Sequence, residues 1–115
     1  MVDLDEVRDG RRLRDYQARL RAVQEANRRA LSRLFQSGLI FSRAGTRIGR
    51  DLLLAHQHLL KVAELLARLA ELAARSGGRT RRDAEEEELY GQVQVLLAKT
   101  VELSARSDGL LARER

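Results

Sequence analysis

Residues 37–50 read Ser37-Gly38-Leu39-Ile40-Phe41-Ser42-Arg43-Ala44-Gly45-Thr46-Arg47-Ile48-Gly49-Arg50, and the fold turns on whether the chain reverses here or runs straight through. Gly38, Gly45 and Gly49 together cost a continuous helix about 3 kcal/mol relative to alanine. Against that, the chain contains no proline to stop a helix, and Leu34, Phe41 and Ile48 keep a seven-residue spacing across the stretch. Two architectures follow. A turn near 42–46 gives an antiparallel three-helix bundle, or long helical hairpin with coiled-coil seams, whose helices are each about 45 Å long. Straight passage makes residues 4–75 one rod of roughly 100 Å that buries its seam only against another chain. The glycine cost favours the turn.

Upstream, Leu13, Tyr16, Leu20, Val23, Asn27, Ala30 and Leu34 alternate spacings of three and four, the seam of an amphipathic helix over about 4–41. Asp3 and Glu6 resemble an acidic capping box at its start, and Gly10 weakens that end. Downstream, Ile48, Leu52, Ala55, Leu59, Val62, Leu66, Leu69 and Ala73 form a second seam on a helix over about 46–76. Leu53, Leu60, Ala63, Leu65, Ala70 and Leu72 widen its apolar surface, so this helix must touch at least two neighbours. Arg75-Ser76-Gly77-Gly78 marks its end, with a glycine suited to the left-handed conformation. Thr80 to Asp83 and Asp83 to Glu86 then offer overlapping N-cap boxes for a third helix over about 83–113, with seam residues Leu89, Val93, Leu96, Thr100, Leu103, Ser107 and Leu110.

The chain has 115 residues, which bounds it to one helical domain, 1–115. It has no cysteine, so disulfide frameworks and thiolate metal sites are excluded. Its 21 Leu and 15 Ala against four aromatics are the composition of long helices rather than sheets. Charges recur too often for a membrane span, and the acidic start lacks the plan of a secretory signal, so a cytoplasmic protein is expected. Twenty of the 22 basic residues are Arg, as the codon usage of a GC-rich bacterial genome produces.

Residues 1–50 hold 12 Arg and 6 acids while 51–115 balance at −1, so the net charge of +5 belongs to the first half. Within it, Arg14, Arg21 and Arg28 recur every seven residues on one helix face, with about 10.5 Å between rungs. Asp15 with Arg19 and Glu25 with Arg29 are expected ion pairs, while Arg11, Arg14, Arg21 and Arg33 lack obvious local partners. The arginine ladder could track phosphates, yet no aromatics interleave with it and no sequence-reading motif is present. A second candidate surface sets the apolar run Leu39, Ile40 and Phe41 beside Arg43, Arg47 and Arg50, a combination suited to a protein partner or an anionic membrane. Gly45 and Gly49, four apart, are spaced to admit a close helix neighbour.

His56 and His58 point about 200° apart on a helix and cannot share a metal ion. No nucleophile elbow, phosphate loop or Glu-x-x-His pair is present, so no catalytic, cofactor or metal site and no small-molecule substrate is expected. Glu85 to Glu88 read as counter-charge to Arg79, Arg81 and Arg82 rather than as a calcium loop. The expected function is therefore a non-enzymatic helical protein–protein interaction module, an adaptor or structural subunit. It is expected to self-associate through Leu13, Leu20, Asn27, Leu34, Leu52, Leu59 and Leu66, with Asn27 fixing register across a dimer or bonding locally. The partners are then a second copy and another protein. The alternative is a basic protein that binds nucleic acid nonspecifically through its first-helix arginines, and an anionic membrane surface is the third partner class.

Overall fold

The computed structural model describes residues 4–75 and 79–113, with the side chains of 10–75 and 84–113. Helix α1 spans Leu4–Gln36, α2 spans Arg43–Ala74 and α3 spans Arg79–Arg113, with a short 3-10 turn at Leu39–Phe41. No strand occurs among the described residues.

The chain reverses at 37–42, earlier than the expected 42–46, and two residues set the place. Gly38 takes φ 74°, the left-handed conformation that glycine adopts without Cβ strain, and ends α1 five residues before the expected 41. Ser42 is extended and caps α2, its Oγ accepting from the Gly45 N–H at 2.9 Å and donating to the Leu39 carbonyl at 2.7 Å. The turn then folds back over Gly45: a Cβ there would lie 1.5 Å from the Leu39 carbonyl oxygen. What approaches Gly45 is the chain's own turn, and what approaches Gly49 is the side chains of Ile40 and Leu34.

With the turn made, the rod of roughly 100 Å does not form. The molecule measures 58 × 21 × 16 Å, one helix length by about two helix diameters or less. Ion pairs give the relative directions. Arg12 pairs with Glu87 and Arg33 with Asp108, so ascending residues of α1 meet ascending residues of α3 and the two run parallel. Arg68 pairs with Glu85 and Arg106 with Asp51, so α2 runs against α3. Helix α2 ends at Ala74 on the extended residue Arg75; Gly77 lies outside the described residues. Helix α3 starts at Arg79, ahead of the expected 83. The capping side chains expected at Asp3, Glu6, Thr80 and Asp83 also lie outside what is described.

The seams meet in two apolar clusters. The larger joins Leu20 to Leu59, Val62, Leu66 and Leu69 of α2 and to Tyr90, Val93 and Leu97 of α3, with Leu13 and Tyr16 against its edge. The smaller, near the turn, joins Ala30 and Leu34 to Ile48, Leu52 and Leu111, with Leu39 and Ile40 packed on it. Asn27, Thr100 and Ser107 are buried polar seam residues with only 0–2% of their surface exposed. The Asn27 Nδ2 donates to the Leu52 carbonyl at 3.3 Å, while its Oδ1 and the hydroxyls of Ser104 and Ser107 are buried without a hydrogen bond. Such groups cost stability and favour one arrangement of the helices.

Candidate functional site

Leu20, Asn27, Leu34, Leu52, Leu59 and Leu66, expected to join two copies, are buried inside one chain, and Leu13 is half-buried beside them. Phe41 departs from the heptad it shares in sequence with Leu34 and Ile48. Those two have no exposed surface, whereas Phe41 is 93% exposed on the outside of the turn. Burial of the seam against α1 and α3 leaves the opposite face of α2 to water.

That face is built by helical spacing. At 100° per residue, Arg50, Leu53, Leu54, Gln57, Leu60, Lys61 and Glu64 fall within about 60° of one line, opposite Ile48, Ala55, Leu59 and Val62 in the core. Leu53 and Leu60 are each more than half exposed, at 58% and 57%, and Leu54 is exposed beside them. Such residues scattered singly need no explanation, but here they cluster along one strip. At its N-terminal end the strip is concave: Ile40, Thr46, Gly49, Arg50, Leu53 and Leu54 line an open hollow of about 710 Å³. Gly49 lets the turn lie close to the helix here, since a Cβ on it would come within 3.3 Å of the Ile40 side chain and 3.4 Å of Leu34.

Arg50 at the hollow, and Arg43 and Arg47 before it on α2, are exposed and without an acidic partner among the described residues. They occupy the first turns of α2, where the helix dipole is positive and where no acid offsets them, so they cost the helix stability. The structure thus brings together Ile40, Arg43, Arg47 and Arg50 of the expected partner surface and adds Leu53, Leu54 and Leu60. Leu39 belongs instead to the small core. The signal for the added leucines is present in the sequence, since Leu53 and Leu60 are seven apart on the back of the seam.

The other candidate surfaces are more heavily committed. Of the arginine ladder, Arg28 is held by Glu25 at 2.6 Å, and Arg14 Nε donates to the Gly10 carbonyl at 3.2 Å. The Arg28 hydrogen bond also holds the Glu25 carboxyl below its ordinary range. Arg19 lies over the Tyr16 ring at 5.5 Å rather than forming the expected pair with Asp15, and Arg33 reaches Asp108. Between α1 and α3 runs a groove of about 530 Å³ lined chiefly by Tyr16, Ala22, Val23, Leu97, Ala98 and Val101. Arg12, one helical turn before Tyr16, also bridges α1 and α3: it pairs with Glu87 at 2.6 Å and stacks on Tyr90 with its guanidinium 3.9 Å from the ring centre. That hydrogen bond raises the Arg12 pKa and lowers that of Glu87. Among the described residues no group of three or more His, Asp or Glu is placed to hold a metal ion. No helix among them is long and apolar enough to cross a membrane. No protein-family model, curated protein or solved structure matches this chain.

Proposed function

We propose that this chain is a non-enzymatic three-helix bundle that serves as a protein–protein interaction module and self-associates, acting as an adaptor or structural subunit. The seams supply the internal core. The contact surface is the outward strip of α2 together with the turn. One observation carries this reading: Leu53, Leu54 and Leu60 are exposed on the outward side of α2, and Phe41 on the turn, in a chain whose own seams already pack into two apolar clusters. An apolar strip flanked by arginines has the composition of an interface centre, in which large apolar side chains anchor and Arg supplies directed hydrogen bonds.

Sedimentation equilibrium at tens of micromolar tests the proposal. The parent chain of 13.0 kDa is expected to give about twice that mass. The variant carrying Leu53→Glu and Leu60→Glu is expected to give the mass of a single chain with unchanged helical circular dichroism, because both side chains lie outside the core. A parent chain that remains at 13.0 kDa under these conditions overturns the proposal.

A further inference from the structure

We infer that the turn end of the bundle binds an anionic lipid surface, with Phe41 as the inserted anchor and Arg43, Arg47 and Arg50 as the headgroup contacts. The inference goes beyond the protein contact proposed above and stands without it, because it uses the turn and the arginine edge of α2 rather than Leu53 and Leu60.

From residue 26 to residue 50 the chain has six arginines and no acid. Arg28 and Arg29 share Glu25, and Arg33 reaches Asp108. Arg43, Arg47 and Arg50 keep no acidic partner among the described residues; Asp51, the next acid in sequence, is mostly buried and holds Arg106 at 2.9 Å. At 100° per residue these three arginines fall within about 60° of one another on α2, and Leu54 lies inside the same arc. They sit at the positive end of the α2 dipole, which no acid in the first turn offsets. One end of a molecule 58 Å long therefore carries an uncompensated positive edge, about 16 Å from Arg43 to Leu54.

The apolar groups beside this edge are exposed. Both phenylalanines of the chain lie at the turn end, and both apolar clusters are built without them. Side chains of this kind are more often buried, yet Phe35 on the last turn of α1 is more than half exposed and Phe41 almost wholly so. Phe41 ends the 3-10 turn, two residues before Arg43, so the anchor and the first cation are adjacent. Leu54, also exposed, stands at the far end of the edge.

Shape selects lipid among anionic partners. Phe41 projects from the outside of a reverse turn, so a folded partner must bring a pocket to receive it, whereas the headgroup layer of a bilayer admits a ring anywhere. A row of arginines with no acid between them answers a sheet of negative charge rather than a single carboxylate. Nucleic acid offers similar charge but gives Leu54 no apolar phase, and the edge has only one ring on which a base could stack. No helix among the described residues is long and apolar enough to cross a membrane, which makes the contact interfacial.

The chain contains no tryptophan, so Phe41→Trp reports the contact directly. With vesicles of mixed phosphatidylserine and phosphatidylcholine at millimolar lipid, its emission is expected to shift to the blue, while that of Val95→Trp, at an exposed position on α3, stays unchanged. In sedimentation, the parent chain is expected to bind these vesicles at least tenfold more tightly than phosphatidylcholine alone, and to weaken at least tenfold as NaCl rises from about 0.1 to 0.5 M. Arg43→Gln with Arg47→Gln is expected to weaken binding about twentyfold, whereas Arg11→Gln with Arg21→Gln on α1, an equal loss of charge, weakens it less than about threefold. Phe41→Ser is expected to weaken it about fivefold at either salt with the thermal melt unchanged, because the ring lies outside the core. Equal binding to phosphatidylcholine alone, or equal effects of the two arginine pairs, overturns the inference. A chain that ignores vesicles also overturns it: binding to polyglutamate then assigns the edge to an acidic protein segment, and binding to duplex DNA that Phe41→Ser leaves intact assigns it to nucleic acid. A dimer by sedimentation equilibrium that ignores vesicles overturns the lipid contact and leaves self-association standing, and a monomer that binds them does the reverse.

Discussion

Asn27 sits where two apolar clusters meet, and its amide serves α2 of the same chain. The Nδ2 donates to the Leu52 carbonyl, which lies inside a helix and is available to a second donor. Replacing it by a carboxylate removes that donor and buries a charge, as Asn27 is only 2% exposed. Asn27→Asp is expected to cost about 3 kcal/mol at pH 7 in urea denaturation. Burial raises the folded-state pKa of the new carboxyl above its unfolded value. The deficit relative to the parent is therefore smallest below about pH 4, where the group is protonated and donates to Leu52, and grows as pH rises through the raised value. A deficit independent of pH would show that the position is not sealed from water.

At the scale of elements, glycines of one residue type have opposite roles. Nothing stands within 4 Å of a Cβ added at Gly10, so in the interior of α1 it only loosens the helix, whereas Gly45 has the Leu39 carbonyl oxygen where its Cβ would be. Gly10→Ala is expected to raise stability by about 1 kcal/mol. Gly45→Ala is expected to lower it by about 3 kcal/mol or more, since backbone rather than a flexible side chain must move. Thermal melts of the two variants measure both signs. The three helices themselves were legible in the sequence, because alternating spacings of three and four state which side of each is buried. The position of the turn was not. Phe41 continues the heptad of Leu34 and Ile48, and that periodicity outweighs the local signals, a glycine able to end α1 at 38 and a serine able to cap α2 at 42. The outward strip was only half legible for a related reason: Leu53 and Leu60 read as a widening of the seam until the seam is seen to be filled by α1 and α3.

At the scale of the whole molecule, the pairing of α1 with α3 was beyond sequence reading, because Arg12 with Glu87 and Arg33 with Asp108 are 75 residues apart and meet only once α2 has placed both helices. These two parallel helices flank an open groove, and the charged contacts add to the apolar contact that Tyr16 and Leu20 of α1 make with Tyr90, Val93 and Leu97 of α3. Arg12 is the more committed of the two arginines, with a bidentate approach to Glu87 at 2.6 and 3.4 Å and the Tyr90 face beneath it. The Glu87 carboxyl is held below its ordinary range, first by that hydrogen bond and then by the charge of the guanidinium, while desolvation acts in the opposite direction. A carboxyl with a lowered folded-state pKa contributes stability above its unfolded value, about 4.3, and loses it as pH falls through the lowered one. Stability is therefore expected to decline as pH is lowered from about 5 to 3, and Glu87→Gln to flatten part of that decline. The effect is small, about 0.5 kcal/mol, because the pair is open to solvent. Its location tells more than its size. Hydrogen exchange at pH 4 should rise first in the N-terminal half of α1, around Arg12 and Tyr16, while the amides of α2 near Leu59 and Val62, packed between both neighbours, stay protected. Exchange that rises uniformly along all three helices would mean that α1 does not open separately and that the groove between α1 and α3 is held by packing rather than by charge.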